Sequence, residues 1–279
     1  MRIAHLTDLH VLERGAPSRR GADRVRLELL CNGRRVDPDE RRGRVLRALD
    51  AVRQSGADHL VVTGDLTEDG TPAQFEALAA IFDEAGVDPA KTTLVAGNHD
   101  AYSGYEAWDV ALEGPLAAYR GTSAAGSVVD LGELAILPIC TRMAQPFVRA
   151  AGVVGEPARA GLAARLRDPG IASRPTIVAM HHPLVTRSMP AFHWFDGLVD
   201  CAEMSEMLSH HRRVSVLHGH DHRKMDLPIG RDVRLRSRGA FAVVDHPSPL
   251  RIYDVVDGTL TVRGDAPIRS FSADALELS

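Results

Sequence analysis

Cysteine is scarce in this chain. Cys31, Cys140 and Cys201 are the only three among 279 residues, and no two of them form a CxxC pair. So few, so widely spaced, they suit reduced thiols better than a disulfide framework, and they argue against a zinc site built on thiolates. Long apolar runs are missing as well, since none approaches the roughly 20 residues that span a bilayer. The opening MRIAHLTDLH soon reaches Asp8 and His10 and lacks the shape of a signal peptide. A cytoplasmic protein is therefore expected. Charge of one sign is also lacking: 33 basic residues against 37 acidic ones leave a formal net charge of -4. That balance gives no global attraction to nucleic acid or to a membrane surface. Neither charge nor aromatic residues, which make up 5%, form the long basic track that a nucleic acid strand would need. No internal repeat or low-complexity linker divides the chain, so one domain over residues 1–265 is expected, followed by a C-terminal tail at 266–279.

What the chain does contain is strand and helix in alternation. IAHL at the start, HLVVTG at 59–64, TTLVAG at 92–97, TIVAM at 176–180 and VSVLHG at 214–219 read as buried strands. In DPDERRGRVLRALDAVRQSG, Asp37 is placed to cap a helix, Pro38 fits its first turn and Glu40 has capping-box spacing. Val45, Leu46, Leu49 and Val52 share one face, and Gly56 ends the run. Thr71, Pro72 and Gln74 repeat the start logic for a helix with Phe75, Leu78 and Phe82 inward, ending at Gly86. A third helix is predicted over 156–168 with Leu162 and Leu166 inward. The stretches around Leu131-Gly132 and Asp257-Gly258 alternate in the manner of hairpins. Alternation of this kind predicts a layered α/β domain.

Polar residues cluster just past the predicted strands: Asp8 and His10, then Asp65, then Asn98, His99 and Asp100, then His181 and His182, then His218, His220 and His222. Ligand sites in open α/β sheets gather beyond the carboxyl ends of strands. Carboxylate, amide and imidazole without sulfur are the donors that hard and borderline divalent cations take. Asp8 and His10, like His220 and His222, are two apart, so on an extended segment each pair would point to one side. The glycines before Asp65, Asn98 and His220 suit a tight turn and a close backbone approach. One metal ion could not use all these groups; two could, sharing Asp65.

The ordered set DxH, GD, GNHD, HH and GHxH over residues 8–222 resembles the calcineurin-like metallophosphoesterase superfamily. Within it, the chain most resembles bacterial class III cyclic-nucleotide phosphodiesterases and glycerophosphodiesterases. The resemblance implies an α/β fold (α+β by some schemes), a four-layer αββα sandwich of two mixed sheets flanked by helices, with the metal site at strand ends. It implies two divalent metal ions (manganese, iron or zinc, or a mixed pair). Asp8, His10, Asp65 and His222 would hold one ion; Asp65, Asn98, His181 and His220 would hold the other. A hydroxide bridging them would attack phosphorus. His99 would contact the phosphate and protonate the leaving oxygen, with Asp100 orienting His99 through its other ring nitrogen. The implied substrate is a small-molecule phosphodiester, either a cyclic nucleotide or another small diester. The rivals are a pyrophosphohydrolase or phosphodiesterase on a lipid-linked or nucleotide-sugar substrate, and a non-enzymatic binding scaffold on the same fold; a nuclease is disfavoured by the charge. Peripheral membrane contact and a dimer stay open.

Several residues carry competing readings. His182 is assigned to support of His181, His218 to packing, and His5, His59, His210, His211 and His246 to core or surface. Glu68 and Asp69 read as turn or helix-start residues. Residues 12–53 hold twelve Arg against seven acidic residues, an insertion longer than the resemblance leads one to expect. It reads either as a solvated face or as a basic cap for a second phosphate, a nucleotide or an anionic lipid head. FHWFDG at 192–197 is either a hydrophobic plug or an aromatic lip, stacking a nucleobase or covering an acyl chain, in which His193 and Trp194 contact substrate. Arg142, past the strand LAILPI, is a candidate phosphate clamp.

Overall fold

The computed structural model describes residues 1–185, 192–229 and 232–263, without the side chains of 232–234. The expected tail at 266–279 lies outside the described residues. The strands, in chain order, are β1 (Arg2–Leu6), β2 (His59–Thr63), β3 (Thr92–Val95), β4 (Val129–Asp130), β5 (Ala135–Pro138), β6 (Thr176–Ala179), β7 (Val214–His218), β8 (Met225–Ile229), β9 (Asp232–Gly239), β10 (Arg251–Val256) and β11 (Thr259–Val262). They form two mixed sheets, ordered β11-β10-β1-β2-β3 and β4-β5-β6-β7-β9-β8. β1, β2 and β3 run parallel in the first, and β5, β6, β7 and β9 run parallel in the second.

The helices are α1 (Gly21–Cys31), α2 (Pro38–Ser55), α3 (Pro72–Glu84), α4 (Ala107–Glu113), α5 (Arg120–Ser123), α6 (Glu156–Arg167), α7 (Pro169–Ala172), α8 (His193–Asp196) and α9 (Cys201–Ser209). Helix α2 begins as its sequence dictates: the Asp37 carboxylate accepts the Glu40 N–H at 3.0 Å, and Gly56 ends the helix at φ 64°. Helix α3 departs from the expected cap. Thr71 makes no side-chain bond there, because Gln74 accepts from the Asp69 N–H and donates to Glu13.

Strand periodicity sorts the core into layers. Ile3 and Val61 of the first sheet meet Ile136, Ile177 and Leu217 of the second in one buried cluster. Their neighbours Ala4, Leu6, Leu60 and Val62 face the other way, onto Leu49, Phe75, Leu78, Phe82 and Trp108 of α2, α3 and α4. On the far side of the second sheet, Leu137, Val178 and Val216 pack on Leu162, Leu166, Met204 and Leu208 of α6 and α9. The result is the expected helix–sheet–sheet–helix sandwich. Because the central strands are covered on both faces, they read as near-continuous apolar runs.

Both predicted turns close hairpins, β4 with β5 and β10 with β11. Asp257 and Gly258 both have positive φ, 49° and 67°, as a two-residue primed turn requires. The long C-terminal stretch divides between the sheets: β9 pairs with β7 and β8, whereas β10 lies antiparallel to β1. Helix α1, inside the Arg-rich segment, was not expected. Its buried side is only Leu27, Leu30 and Cys31, of which Leu27 and Cys31 pack on Leu12 and Ala16 as a small separate cluster. Among the described residues no helix is long and apolar enough to cross a membrane.

His59 shows how the core responds to acid. It is buried at the start of β2 with Nε2 2.9 Å from the Thr93 hydroxyl, and burial pulls its pKa down to about 4 from 6.5, against a weak opposing pull from Asp88. The unfolded imidazole takes up a proton that the folded one refuses, so stability is full above pH 6.5 and falls between 6.5 and 4. The loss amounts to about 3 kcal/mol. In urea unfolding of wild type and His59→Gln, the wild-type advantage is expected to shrink by about that amount from pH 7 to pH 4.

Candidate metal centre and active site

Five strand ends, three from the first sheet and two from the second, deliver the polar blocks to one place. β1 leads into Asp8 and His10, β2 into Asp65, β3 into Asn98 and His99, β6 into His181 and His182, and β7 into His220 and His222. The donors do not sit on extended backbone, as their spacing had suggested. Asp8 (φ 54°), His10 (48°), Asp65 (47°), His220 (70°) and His222 (53°) all occupy the left-handed region. That region is costly for any residue with a Cβ, and such residues persist only where the surroundings over-determine them. Here backbone bonds do so: Asp8 N–H to the Gly64 carbonyl at 3.0 Å, and His10 N–H to the Asp65 carbonyl at 2.9 Å. The turns are crowded as well. A Cβ on Gly219 would lie 1.8 Å from Thr7 Oγ1, and one on Gly97 would lie 2.2 Å from Asp65 Oδ1. Both positions therefore require glycine.

Asp65 is the hub. Its Oδ1 accepts the His99 N–H at 2.9 Å, and its Oδ2 faces imidazole nitrogens of His181 at 3.3 Å, His10 at 3.8 Å and His99 at 4.0 Å. Asp8 accepts from the Thr7 hydroxyl at 2.7 Å and lies 3.4 Å from His222 Nε2. His181 donates Nδ1–H to the Thr63 carbonyl at 2.8 Å, which turns Nε2 toward Asp65 and places it 3.1 Å from Asn98 Oδ1. Asn98 is held in turn by the Tyr102 hydroxyl at 2.9 Å. Burial disfavours charge on His181 and His222, yet the carboxylates prevail: Asp65 lifts His181 to about 9, and Asp8 lifts His222 to about 10. Burial alone would raise both carboxyls, but His222 holds Asp8, and His181 holds Asp65, well below the usual range.

Buried anions that recruit every imidazole in reach fit a centre built for cations. Both ring nitrogens of His10 are buried without a hydrogen bond among the described residues; Nε2 faces Asp65 at 3.8 Å, open to an ion, and Nδ1 faces the Glu68 carboxylate at 3.3 Å. Four groups of donor atoms lie within 4.8 Å of one another: Asp8, His10 and His222; Asp8, Asp65 and His181; His10, Asp65 and His99; and His181, His182 and His220. All the proposed charged and imidazole donors are thus gathered. His182 has both ring nitrogens engaged, with the Thr141 hydroxyl at 2.8 Å and the Ala150 carbonyl at 3.0 Å, in keeping with a supporting role.

Other expectations need correction. Asp100 does not orient His99. Its carboxylate accepts the N–H groups of Leu66, Thr67 and Gly97 and the Thr67 hydroxyl, at 2.7–3.1 Å, and so ties the loop after β2 to the loop after β3. Burial and the nearby Asp65 raise its pKa to about 6 despite those bonds. His99 is instead oriented by the Glu68 carbonyl, which accepts Nδ1–H at 2.6 Å. Arg142 is no phosphate clamp: it is buried on the Tyr105 carbonyl, Asp109 and Cys140, lining a separate cavity with Tyr105 and Leu162. His193 turns to Cys201 at 3.5 Å, and the 60% exposed Trp194 stacks with Arg149, so Phe195 is the FHWFDG residue lining the central cavity. Much of the Arg-rich segment's charge is spent in ion pairs, several with acids outside the segment. Arg19 pairs with Glu13 and Asp69, Arg24 with Glu28, Arg41 with Glu68, Arg42 with Glu84 and Arg44 with Glu40.

Sequence reading missed Glu68. It is no turn filler but a fully buried carboxylate 3.3 Å from His10 Nδ1, 3.6 Å from His99 Nδ1 and within 3.6 Å of Arg34 and Arg41. Burial opposes its charge, but His10 and its other cationic neighbours bring its pKa down to about 2. The only local signal was an acid three residues after Asp65. Above these residues opens a cavity of about 670 Å³, floored by His10, Asp65, Asn98, His99, His220 and His222.

The family model described as calcineurin-like phosphoesterase matches residues 1–224, and the chain belongs to that family. A Synechococcus protein named as a probable cyclic nucleotide phosphodiesterase is 29% identical over 230 residues, covering 79% of this chain and 72% of the relative. Among solved structures, a dimetal phosphatase from Danio rerio superposes with a TM-score of 0.63 at 15% identity, covering 92% of this chain and 93% of that one. The protein TT1561 of Thermus thermophilus does so with a TM-score of 0.55 at 12% identity, covering 94% and 97%. These two likenesses show the fold. Family and donor clusters together imply a dinuclear divalent metal site.

Ligands that bind only the folded state stabilise it by mass action, by about 2.7 kcal/mol at a hundredfold excess over Kd. Chelator-treated protein is therefore expected to gain roughly 5–10 °C in melting temperature on adding Mn²⁺ or Zn²⁺ at that excess. Asp65→Asn, scanned the same way, is expected to lose most of the gain.

Proposed function

We propose that this calcineurin-like phosphoesterase is a phosphodiesterase acting on a small-molecule diester, carried on one domain over residues 1–265. In this reading Asp8, His10, Asp65 and His222 hold one divalent ion, and Asp65, Asn98, His181 and His220 hold the second. Bound there, the ions would act as Lewis acids toward phosphoryl oxygens and make hydroxide available as a nucleophile near neutral pH. The chain's own contribution is orientation and proton transfer. His99 has its backbone pinned to Asp65 and its Nδ1–H spent on the Glu68 carbonyl. Its Nε2 is thereby left for the cavity, where it can carry a proton to the oxygen that departs from phosphorus. Glu68 fixes His10 from behind, as carboxylates commonly do for metal-binding imidazoles.

The observation that favours a diester is the charge on the cavity wall. Beyond the donors, the lining among the described residues holds one guanidinium, that of Arg34, and it is faced by Asp245 and Glu68 at 3.6 Å each. A wall so balanced offers nothing for the second negative charge of a monoester and suits the single charge of a diester. The Synechococcus relative carries the name of a probable cyclic nucleotide phosphodiesterase, and cyclic nucleotides are one member of the class.

Hydrolysis of bis(p-nitrophenyl) phosphate beside p-nitrophenyl phosphate, on chelated protein with and without Mn²⁺, tests this. Metal-dependent cleavage favouring the diester is expected, and a preference for the monoester would overturn the reading. His99→Asn is expected to lower kcat about 10²–10⁴-fold while keeping the metal-induced thermal shift. A variant that lost the shift as well would place His99 among the metal ligands instead.

A further inference from the structure

Ten large hydrophobic residues are exposed among the described residues, and they are not scattered evenly. Leu29, Val148 and Phe195, exposed by 59%, 60% and 41%, all line the central cavity, although they come from α1, the loop after β5 and α8. Val25 stands one helical turn before Leu29, and Trp194 meets Phe195 with ring centroids 5.8 Å apart. Half of the exposed hydrophobics thus belong to the cavity mouth or adjoin it. Isolated apolar residues on a surface need no explanation, but convergence of separate segments at a cavity mouth marks a binding surface.

The mouth is also built rather than loose. The loop and α8 are joined by the Ala150 N–H to the Phe195 carbonyl at 2.9 Å, and by Arg149 Nε to the Trp194 carbonyl at 2.6 Å. The opposite wall is the Arg-rich insertion, whose helix α1 presents Leu29 and Leu30 to the cavity. Its arginines are mostly consumed in ion pairs, and Arg34 is opposed by two carboxylates, so among the described residues the insertion offers no free guanidinium to a second phosphate. The floor is closed by buried strand ends. A phosphate held at the floor can therefore direct its organic groups only outward, between these apolar walls.

We propose that the substrate is an amphiphilic phosphodiester, whose phosphate is esterified to an apolar alkyl or alkyl-aryl group seated between Leu29, Val148 and Phe195. The proposal rests on the phosphodiesterase reading and narrows it. The Arg-rich insertion is then a specificity wall of apolar character, and its charge serves to hold it in place.

The test is a series of p-nitrophenyl alkyl phosphates from methyl to octyl, on Mn²⁺-loaded protein below micelle-forming concentrations. kcat/KM is expected to rise about two- to fourfold per methylene over the first several carbons. In Leu29→Ser/Val148→Ser/Phe195→Ser, three exposed positions changed together, that dependence is expected to flatten. A flat dependence in the wild type overturns the proposal. So does stronger competition by adenosine 5'-monophosphate than by octyl phosphate, which would assign the mouth to a nucleobase. Calorimetric binding of methyl- to octylphosphonate reads the mouth without turnover. If no diester is hydrolysed, the phosphodiesterase reading fails, while affinity rising with chain length still supports the apolar mouth and constant affinity refutes it.

Discussion

Asp8 and Asp65 are carboxylates shut away from water, and a buried anion must be met by positive charge or not exist as an anion. The region around them answers that demand. Imidazoles from four strand ends turn toward the two carboxylates, the backbone bends into left-handed geometry to bring them there, and glycines remove the Cβ atoms that would block the approach. Divalent ions satisfy the same demand more fully than protonated imidazoles, because neutral imidazoles can then donate lone pairs where they had carried protons. The two-sheet architecture follows from this arrangement. No single strand end could supply enough donors, and the seam between two parallel-centred sheets brings five together.

A second layer of charge stands behind the first. Glu68 lies between His10 and His99 on one side and Arg34 and Arg41 on the other. Arg34 also reaches Asp245, whose carboxylate meets His222. The Arg-rich insertion is thus fastened to the backs of the site residues rather than to solvent. Its positive charge is structural: it allows a short, weakly apolar segment to sit over the centre with only the small cluster of Leu12, Ala16, Leu27 and Cys31 beneath it. The same insertion supplies apolar side chains to one side of the cavity, so a feature that looked like an anion trap acts on recognition mainly through its uncharged residues.

Legibility in the sequence followed locality. The five donor blocks could be read because each is announced by its own strand, and the sandwich followed from strands that are apolar throughout and helices with proper caps. What escaped depended on groups distant in the chain. Asp100 is adjacent to His99 in sequence, yet its bonds go to Leu66, Thr67 and Gly97, which no spacing rule reveals. Glu68 looked like a turn residue because its cationic partners lie far from it in the chain, at Arg34 and Arg41 on one side and His10 on the other. Helix α1 was hidden because its apolar side is short, only Leu27, Leu30 and Cys31 in its last turns, and its first half buries no residue. The sign of φ at Asp8 and His10 was equally invisible, since it is imposed by the crossing backbone at Gly64 and Asp65. Arg142 was misjudged for the opposite reason: its position past a strand was read correctly, but its partners turned it into another cavity.

The pairing of β1 with β10 has a consequence for biosynthesis. The strand β1 ends at Leu6, yet its partner on one side begins only at Arg251. At roughly 5–20 residues per second, translation takes on the order of ten to fifty seconds to bridge that gap. Throughout that time β1 can be paired by β2 alone, and its other edge stays open as a template for any neighbouring strand. The nascent chain carries Asp8 and Asp65 early and the imidazoles of the last block late, so its acidic half must wait without its full complement of partners. A chaperone that shelters an open strand edge, or a metal ion captured early by the first blocks, would thus act on the yield of this protein before any of its chemistry begins.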